Sequence, residues 1–251
     1  MRVWLAAVIL AGCSSSPASE PGSPAKPGPT TALSAPADAT DDATLADAGA
    51  PDAPSVSIVD APMKWSAERE RLTLDYRRQH SDANASDLTI EPTVIVLHYT
   101  GGGSAKGTRS YFDNPTIEAE RKALARAGKV NVSSHFVVDR DGTIYQLQPM
   151  TRFARHCIGL NHVAVGIENV GDEAKFPLTD AQVIANEALV RWIATRHRIT
   201  HLLGHHEVMS FRGNPLYVER DASYTNSKPD PGKAFMAKVR ARVEDLALAG
   251  S

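Results

Sequence analysis

Two short apolar segments of the chain, TVIVLH and VAVGIE, each end on an ionisable side chain. Short apolar runs of this kind are typical of buried β-strands, and crevices in open α/β sheets form at the carboxyl ends of strands. We therefore expect His98 and Glu168, the last residues of the two segments, to line a pocket. The alternatives are a core histidine held by backbone hydrogen bonds and a glutamate in a structural salt bridge.

Three more polar residues of interest, His205, Lys228 and Asp230, lie in the segments LLGH and SKPDPG. Two imidazoles and a carboxylate are a common ligand set for catalytic zinc, which keeps its fourth position open for water. The remaining carboxylate and ammonium are then available as general base and oxyanion stabiliser. The pattern predicts a zinc hydrolase. The alternatives are a solvated loop lysine and an aspartate that caps the following helix.

The histidines near position 205 do not all fit one metal site. His205 and His206 are adjacent, and neighbouring residues of a strand point to opposite faces. The HExxH metalloprotease motif fails because position 210 is Ser210. We expect His201 and His206 to lie on the surface or beside the ligands. The segment GGGSAKGT after His98 lacks the P-loop arrangement and is expected to be a flexible loop at the rim.

Short β-rich runs alternate with longer helical patterns along the chain. This alternation fits an α/β domain with a mixed central β-sheet flanked by helices. Strands are predicted at Thr93–His98, Ser134–Asp139, Thr143–Gln148, Ala164–Asn169 and Thr200–Gly204. Helices are predicted at Ser66–His80, Ile117–Ala127, Asp180–Arg196 and Gly232–Ala247.

Local signals support parts of this pattern. SHFVVDRDGTIYQL predicts a hairpin, because Asp141 and Gly142 supply turn residues that tolerate positive φ. Thr179 and Gln182 are placed as a capping box at the start of the third helix. The apolar face of that helix is predicted to carry Val183, Ile184, Leu189 and Ile193. The apolar face of the last helix is predicted to carry Phe235, Val239, Val243 and Leu246.

The first residues, MRVWLAAVILAGC, have the plan of a signal peptide, with one arginine, a short apolar run and small residues before Cys13. The run is too short to span a bilayer as a helix, which needs about 20 apolar residues. LAGC resembles the lipobox of bacterial lipoproteins, so we expect residues 1–12 to be removed and Cys13 to carry lipid. Ser14 follows the cysteine, which in Gram-negative lipoproteins favours the periplasmic face of the outer membrane. The alternative is an ordinary secretory signal.

The segment from Ser14 to Pro62 holds nine of the sixteen prolines and almost no large apolar residues. It cannot bury enough surface to offset the entropy of ordering, so residues 13–62 are predicted to be a lipidated cysteine and a disordered tether. A random chain of this length reaches about 40 Å on average. Residues 63–251 remain for one folded domain with a sizeable core.

Charge and cysteine content narrow the expected partners. The formal net charge is −2 and there is no basic cluster with interleaved aromatics, so nucleic acid is not expected. Once Cys13 carries lipid, Cys157 is alone and no intrachain disulfide is available. Cys157 is expected to be a small buried residue rather than a zinc ligand. We expect a monomer that meets the membrane only through its lipid anchor.

The chain resembles the zinc amidases that include N-acetylmuramoyl-L-alanine amidases and peptidoglycan recognition proteins. The resemblance rests on five segments in the same order, VIVLHYT, SSHFVVDRDGTIYQL, ARHCIGLNHVAVGIENVG, LLGHHEV and KPDPGKAF. They run from Val94 to Phe235 and cover most of the predicted domain. The resemblance implies the same α/β fold, a Zn²⁺ cofactor, and hydrolysis of the lactyl–L-alanine amide bond in peptidoglycan or muropeptides.

The resemblance also implies roles for the candidate residues. His98, His205 and Asp230 match the zinc ligands, with Asp230 in the place of a cysteine found in phage-type relatives. Glu168 matches the catalytic glutamate of the bacterial anhydromuramyl-peptide amidase branch. Lys228 matches the catalytic lysine.

The resemblance extends to four residues that precede Glu168 in the chain, which are Ser134, His135, His156 and Asn161. His156 and Asn161 match the substrate groove and are expected to contact substrate. Phage-type enzymes carry a catalytic tyrosine before the histidine that matches His135, and here that position is Ser134. This difference places the chain with the glutamate-using enzymes, and His135 is expected to be a structural histidine or to lie beside the metal ligands.

Two other functions share these residue types. A lipid-anchored peptidoglycan-binding module would have vestigial chemistry, but non-catalytic recognition proteins typically lose a metal ligand and this chain keeps all three. A zinc peptidase would cut within the stem peptide instead. The bond that is cleaved in digested sacculi separates the three functions.

Overall fold

The computed structural model describes residues 56–251, so the predicted signal peptide, Cys13 and most of the predicted tether lie outside the described residues. The described chain is built on a six-stranded sheet with the strand order β1-β4-β3-β5-β2-β6. The strands are β1 (Ile58–Asp60), β2 (Val94–Tyr99), β3 (Phe136–Val138), β4 (Ile144–Gln146), β5 (Ala164–Asn169) and β6 (His201–Gly204).

The sheet is mixed, as predicted. β2 lies between β5 and β6 and is parallel to both, and β3 is parallel to β5. β3 and β4 form the predicted antiparallel hairpin, and Gly142 in its turn has a φ of +88°. β1 pairs with β4 in parallel at the opposite edge from β6.

Helices flank the sheet, which confirms the predicted fold class. They are α1 (Ala67–His80), α2 (Ala105–Phe112), α3 (Lys122–Arg126), α4 (Asp180–Ala194) and α5 (Lys233–Arg242), with 3-10 turns at His205–Glu207 and Glu244–Leu246. Within residues 56–251, no helix combines the length and the apolar character that crossing a bilayer requires.

The central strand β2 is buried on both faces. Ile95 and Leu97 pack in the cluster that contains the apolar residues of α4 and α5. Val94 and Val96 pack on the opposite face against apolar residues of loops. Successive strand residues point to opposite faces, so two covered faces explain the unbroken apolar run. Complete burial of each such side chain contributes about 1.5–3 kcal/mol to stability.

The buried face of α4 differs in part from the predicted one. Ile184 is 54% exposed, so its predicted place on the buried face is wrong. Gln182 and Asn186 are buried instead, because their amide groups donate to the Val170 carbonyl and to the Asn169 side chain. Buried polar groups are tolerated when their hydrogen bonds are satisfied. The other predicted members of this face are buried: Val183, Leu189 and Ile193.

Three segments depart from their predicted bounds by more than two residues. The last helix, predicted over Gly232–Ala247, ends at Arg242 and is followed by a 3-10 turn. β1 (Ile58–Asp60) lies within residues 13–62, which were predicted to be tether, yet it is a strand of the sheet. The helix predicted over Ile117–Ala127 is confined to Lys122–Arg126. The reason is that the Ile117 N–H donates to the carbonyl of Lys129, which holds this part of the segment extended.

Helix α2 was not predicted. It begins in the segment GGGSAKGT, where Ser104 accepts a hydrogen bond from the Gly107 N–H and caps the helix. The glycines before it, Gly101 to Gly103, have positive φ and form a loop at the cavity rim, as expected. The sequence pattern failed here because Gly107 lowers the helical signal of a short segment.

Thr179→Ala tests the capping box of α4. Thr179 Oγ1 accepts from the Gln182 N–H at 3.2 Å, and the Gln182 side chain accepts from the Thr179 N–H at 2.9 Å. Removing the hydroxyl should lower the free energy of unfolding by about 1 kcal/mol, measured by urea denaturation. Thr195→Ala at the other end of the helix is the control and should cost about 0.5 kcal/mol or less. Equal losses in the two variants would contradict the prediction.

Candidate active site

The carboxyl ends of β2, β5 and β6 meet at a cavity of about 550 Å³. His98 on β2 and Glu168 on β5 are register partners, and His205 follows the last residue of β6. Lys228 and Asp230 come from the loop that precedes α5. The structure therefore brings all five predicted residues to the lining of one cavity.

Three of these residues hold their potential ligand atoms together. His98 Nδ1 lies 2.9 Å from His205 Nδ1 and 3.3 Å from Asp230 Oδ2, and His205 Nδ1 lies 3.1 Å from Asp230 Oδ2. A tetrahedral zinc ion with bonds of about 2.0–2.1 Å needs ligand atoms roughly 3.3 Å apart. The donor set and its spacing therefore fit zinc. Among residues 56–251, no other His, Cys, Asp or Glu group of three or more converges in this way.

The electrostatics of this ligand triangle favour the forms that bind a metal. Burial, followed by the charge of His205, lowers the pKa of His98 to about 4. Burial alone would raise the pKa of Asp230, but the neighbouring His205 and His98 side chains outweigh it and hold the pKa well below its usual range. A neutral imidazole and an ionised carboxylate are the protonation states that metal ligands require.

Asp230 is fixed through its backbone. Pro229 and Pro231 restrict the chain on both sides, and the Asp230 carbonyl accepts from the His206 N–H at 2.8 Å. The alternative role as a helix cap is wrong, because α5 begins after Gly232 and has no side-chain cap. The carboxylate of Asp230 is thus left to the two histidines of the triangle.

The Glu168 carboxylate is unpaired within the described part of the chain. Its Oε2 is buried without a hydrogen-bond partner, and it takes part in no ion pair among residues 56–251. Burial and then the charge of Asp230 raise the pKa of Glu168 to about 8, although Lys228 opposes this shift. The salt-bridge alternative is therefore wrong. An unpaired carboxylate in a cavity with a raised pKa is suited to proton transfer.

Lys228 lies half-buried in the cavity lining. Its positive charge acts on the centre of the site, because it lowers the pKa of both Glu168 and His98. It forms no ion pair within residues 56–251. This position disfavours the alternative of a solvated loop lysine. An ammonium held here is available to stabilise negative charge that develops during a reaction.

The two residues expected to contact substrate have different positions. Asn161 is 4% exposed, and its Oδ1 accepts from the backbone N–H groups of His156 at 2.8 Å and Cys157 at 2.7 Å. It does not belong to the cavity lining, so its position differs from the expected groove. His156 does line the cavity, but its ring nitrogens lie beside His98 Nε2 at 3.0 Å and the Ala164 carbonyl at 3.3 Å.

His135 and Cys157 lie outside the ligand triangle. His135 Nδ1 accepts from the Gly166 N–H at 2.9 Å, and its Nε2 donates to the Arg152 carbonyl at 2.8 Å. The predicted structural role of His135 is therefore confirmed. Cys157 is 2% exposed and burial raises the pKa of its thiol, so it is a small buried residue as predicted.

The turn that carries His205 is anchored to α5. Glu207 accepts two hydrogen bonds from Arg240, at 2.7 and 2.6 Å, and so links the turn to the helix. His206 contacts the triangle only through the backbone of the Asp230 loop. His201 contacts the Phe211 ring edge to face and does not belong to the ligand triangle, as expected.

Sequence analysis missed part of the cavity wall. The lining includes Tyr111 and Arg121, whose side chains form a hydrogen bond of 2.6 Å, and Tyr224. Tyr111 lies on the unpredicted helix α2, and the other two lie in irregular segments. No spacing in the sequence pointed to these residues, because only the folded chain brings them to the cavity.

The fold and the site together define a class of protein, the α/β domains with a potential metal site at the carboxyl ends of the strands of a mixed sheet. Within that class, the sequence profile described as N-acetylmuramoyl-L-alanine amidase matches residues 88–233. The match includes every residue of the ligand triangle, Glu168 and Lys228. The chain belongs to the N-acetylmuramoyl-L-alanine amidase family.

Individual relatives are similar over shorter stretches. The endolysin of Escherichia phage T7 is 31% identical over 100 residues, which cover 38% of this chain and 66% of the endolysin. The endolysin of Enterobacteria phage T3 is 30% identical with the same coverage. The match thus spans just under two thirds of each endolysin. Among solved structures, the endolysin amidase LysCS from Clostridium intestinale is 21% identical with a TM-score of 0.48, covering 75% of this chain and 95% of LysCS.

Glu168→Gln replaces the unpaired carboxylate with a neutral amide of similar shape. The folded-state pKa of about 8 lies above the ordinary value of 4.5, so the folded wild type loses stability as pH rises between these values. In metal-free protein, the variant should be at least as stable as wild type, with a gain that grows with pH across this window. Urea unfolding at several pH values measures the difference.

Glu219→Gln is the matched control for this substitution. Glu219 Oε1 lies 2.8 Å from His80 Nδ1, and both side chains are 3% exposed. Removing one partner of this buried pair should destabilise the protein by about 1–3 kcal/mol. A comparable loss in Glu168→Gln would restore the salt-bridge interpretation of Glu168.

Proposed function

We propose that the protein hydrolyses the amide bond between the lactyl group of N-acetylmuramic acid and L-alanine, with Zn²⁺ as its cofactor. The substrate is peptidoglycan or its muropeptide fragments. The observation that carries the proposal is the convergence of His98, His205 and Asp230 in one cavity with Glu168 and Lys228, which form no ion pair within residues 56–251. Membership of the amidase family supports the type of bond, and the similarity to phage endolysins supports the polymer.

Zn²⁺ bound by the triangle supplies Lewis acidity, which polarises a carbonyl group and lowers the pKa of water. His98, His205 and Asp230 present the donor atoms already grouped, so little reorganisation accompanies binding. The rest of the chemistry belongs to side chains of the cavity.

Glu168 acts as the proton carrier. It accepts a proton from the attacking water as the bond forms between the water oxygen and the lactyl carbonyl carbon. It then delivers this proton to the alanine nitrogen as the carbon–nitrogen bond breaks. The products are a lactyl carboxyl group on the glycan and a peptide with a free amine.

Lys228 stabilises the negative charge that develops on the carbonyl oxygen. Its half-buried ammonium is close enough to the centre to shift the pKa of Glu168 and His98. A charge placed in advance needs little reorganisation when the reaction occurs, and loss of one such donor typically lowers turnover about 10²- to 10³-fold.

Substitutions in the purified full chain separate metal binding from chemistry. His98→Ala, His205→Ala and Asp230→Ala should each lose bound zinc and hydrolysis. Glu168→Gln and Lys228→Ala should keep zinc and the fold but lose turnover by about 10² or more. Elemental analysis measures zinc, and mass spectrometry of digested sacculi measures cleavage of the lactyl–alanine bond. Chelation should abolish hydrolysis and added zinc should restore it.

Two control variants belong to this experiment. His201→Ala removes a histidine outside the triangle, and Lys175→Ala removes an exposed lysine outside the cavity lining. Both should retain zinc and turnover. Full zinc content in a ligand variant would remove that residue from the site. Cleavage within the stem peptide would make the protein a peptidase, and binding to sacculi without cleavage would make it a binding module.

We also propose that the protein is a lipoprotein, anchored through Cys13 to the periplasmic face of the outer membrane. The proposal rests on the segment LAGC and on Ser14, which lie outside the described residues. One acyl chain gives only marginal membrane binding, whereas several chains hold a protein stably. The residues between Ser14 and β1 then provide reach from the membrane to the sacculus.

Cys13→Ser should block lipid attachment and release the protein from the membrane fraction. Cys157→Ala is the matched control, because it removes the other cysteine of the chain and should fractionate like wild type. Mass spectrometry of the N-terminal peptide after expression in a Gram-negative host reads the modification directly. Wild-type protein recovered in the soluble fraction with an unmodified Cys13 would defeat the anchor and leave the amidase proposal intact.

A further inference from the structure

We infer that His156 is a positioning residue that holds His98 in the tautomer whose Nδ1 carries no proton. The inference rests on the proposed function, because a bare Nδ1 matters only if His98 binds a metal ion. It follows from a chain of hydrogen bonds that links His98 to His156 and His156 to the carbonyl of Ala164.

The direction of donation along these two hydrogen bonds is set by the last acceptor, the Ala164 carbonyl. His156 Nε2 lies 3.3 Å from the Ala164 carbonyl oxygen, which only accepts hydrogen bonds. Nε2 therefore carries the proton, and the neutral His156 ring presents a lone pair at Nδ1. His98 Nε2 lies 3.0 Å from this lone pair and donates its proton to it. A neutral His98 then has no proton on Nδ1, which is its atom in the ligand triangle.

Burial supports the neutral state of both rings. His98 is 2% exposed and His156 is 9% exposed. Burial first, and the charge of a neighbouring histidine second, lowers the pKa of each ring. If His156 donated to His98 instead, its Nε2 would carry no proton and would face the Ala164 carbonyl, so that two lone pairs would meet.

The surroundings hold the His156 ring in place. A Cβ atom on Gly166 would lie 2.8 Å from this ring, so a glycine at this position of β5 lets the imidazole lie against the strand. Asn161 accepts from the His156 backbone N–H at 2.8 Å and fixes the loop. The rings of His98 and His156 meet edge to face, with centroids 5.1 Å apart. A partner held this firmly sets both the orientation of His98 and the location of its proton.

One proton on His205 completes the metal-free site. His205 Nδ1 lies 2.9 Å from His98 Nδ1 and 3.1 Å from Asp230 Oδ2, and these two acceptor atoms lie 3.3 Å from each other, so they need a proton between them. A proton on His205 Nδ1 satisfies both. Metal binding needs this Nδ1 bare as well, and a neutral His205 meets that need when its one proton lies on Nε2.

The test reads the tautomer directly in the metal-free full chain, labelled with nitrogen-15 at histidine. Long-range nitrogen–proton NMR spectra of wild type should show the His98 proton on Nε2. His156→Phe removes both ring nitrogens, so it should give a mixture of His98 tautomers and weaken zinc binding about 10- to 100-fold in a chelator competition. His156→Asn keeps an acceptor oxygen near the Nδ1 position and should bind zinc within about threefold of wild type.

His135→Phe is the matched control, because His135 is a second buried imidazole in the same cluster of rings and bonds only to backbone groups. It should lose stability, as His156→Phe does, but keep the wild-type His98 tautomer and zinc affinity. A proton on His98 Nδ1 in the wild type would overturn the inference, and so would wild-type zinc affinity in His156→Phe. If the wild type bound no zinc, the proposed cofactor would fall, and the His98 tautomer would still decide the role of His156.

Discussion

The parallel register between β2 and β5 is the constraint on which the site depends. Register partners in neighbouring strands project to the same face of a sheet, so the pairing of His98 with Glu168 sets a metal ligand and the proposed base on one side. The opposite side of the same strands carries Leu97 and Ile167, which pack under α4 and α5. A slip of one residue would exchange these faces and bury the ionisable groups in the apolar core. The core therefore fixes the register, and the register places the chemistry.

The requirement for a glycine within the strand VAVGIE follows from what lies on this same face of the sheet. Gly166 pairs with Val96, one level below His98 and Glu168 on their side of the sheet. Its missing side chain leaves the space that the His156 ring occupies. A second polar connection reaches the site from the helical side, because the Asn169 side chain donates to the His98 carbonyl and accepts from Asn186 of α4. Hydrogen-bonded networks of this kind fix one arrangement of a buried polar site.

The sequence predicted the parts of this structure that depend on local pattern. Strong apolar runs and turn residues gave the five predicted strands, and the positions of His98, Glu168 and His205 followed from the carboxyl ends of three strands. The pattern did not reveal β1, because three residues in a proline-rich segment, of which only Ile58 packs against the core, form a strand only by pairing with β4.

Ile184 and Asn161 depart from their predicted positions for the same reason. Ile184 was placed on the buried face by periodicity, but Asn186 takes that face through hydrogen bonds that no periodicity records. Asn161 was expected to contact substrate, yet it lies outside the cavity lining because it binds backbone N–H groups of the loop that returns to β5. His156 lines the cavity, and its contact with substrate stays a prediction. Residue types were therefore predictable, whereas the partner of each side chain was determined by tertiary contacts.

The contrast between paired and unpaired charges is the last indication of where the chemistry lies. Away from the cavity, the buried Glu219 is paired with His80, and Glu207 is paired with Arg240. Glu168 has no such partner in the described part of the chain, although an uncompensated buried carboxylate destabilises a fold. A chain that pairs these two carboxylates leaves Glu168 without an ion-pair partner among residues 56–251, at a cost in stability. That cost is understandable if the carboxylate must exchange a proton, because a salt bridge would lower its basicity and hold it away from water.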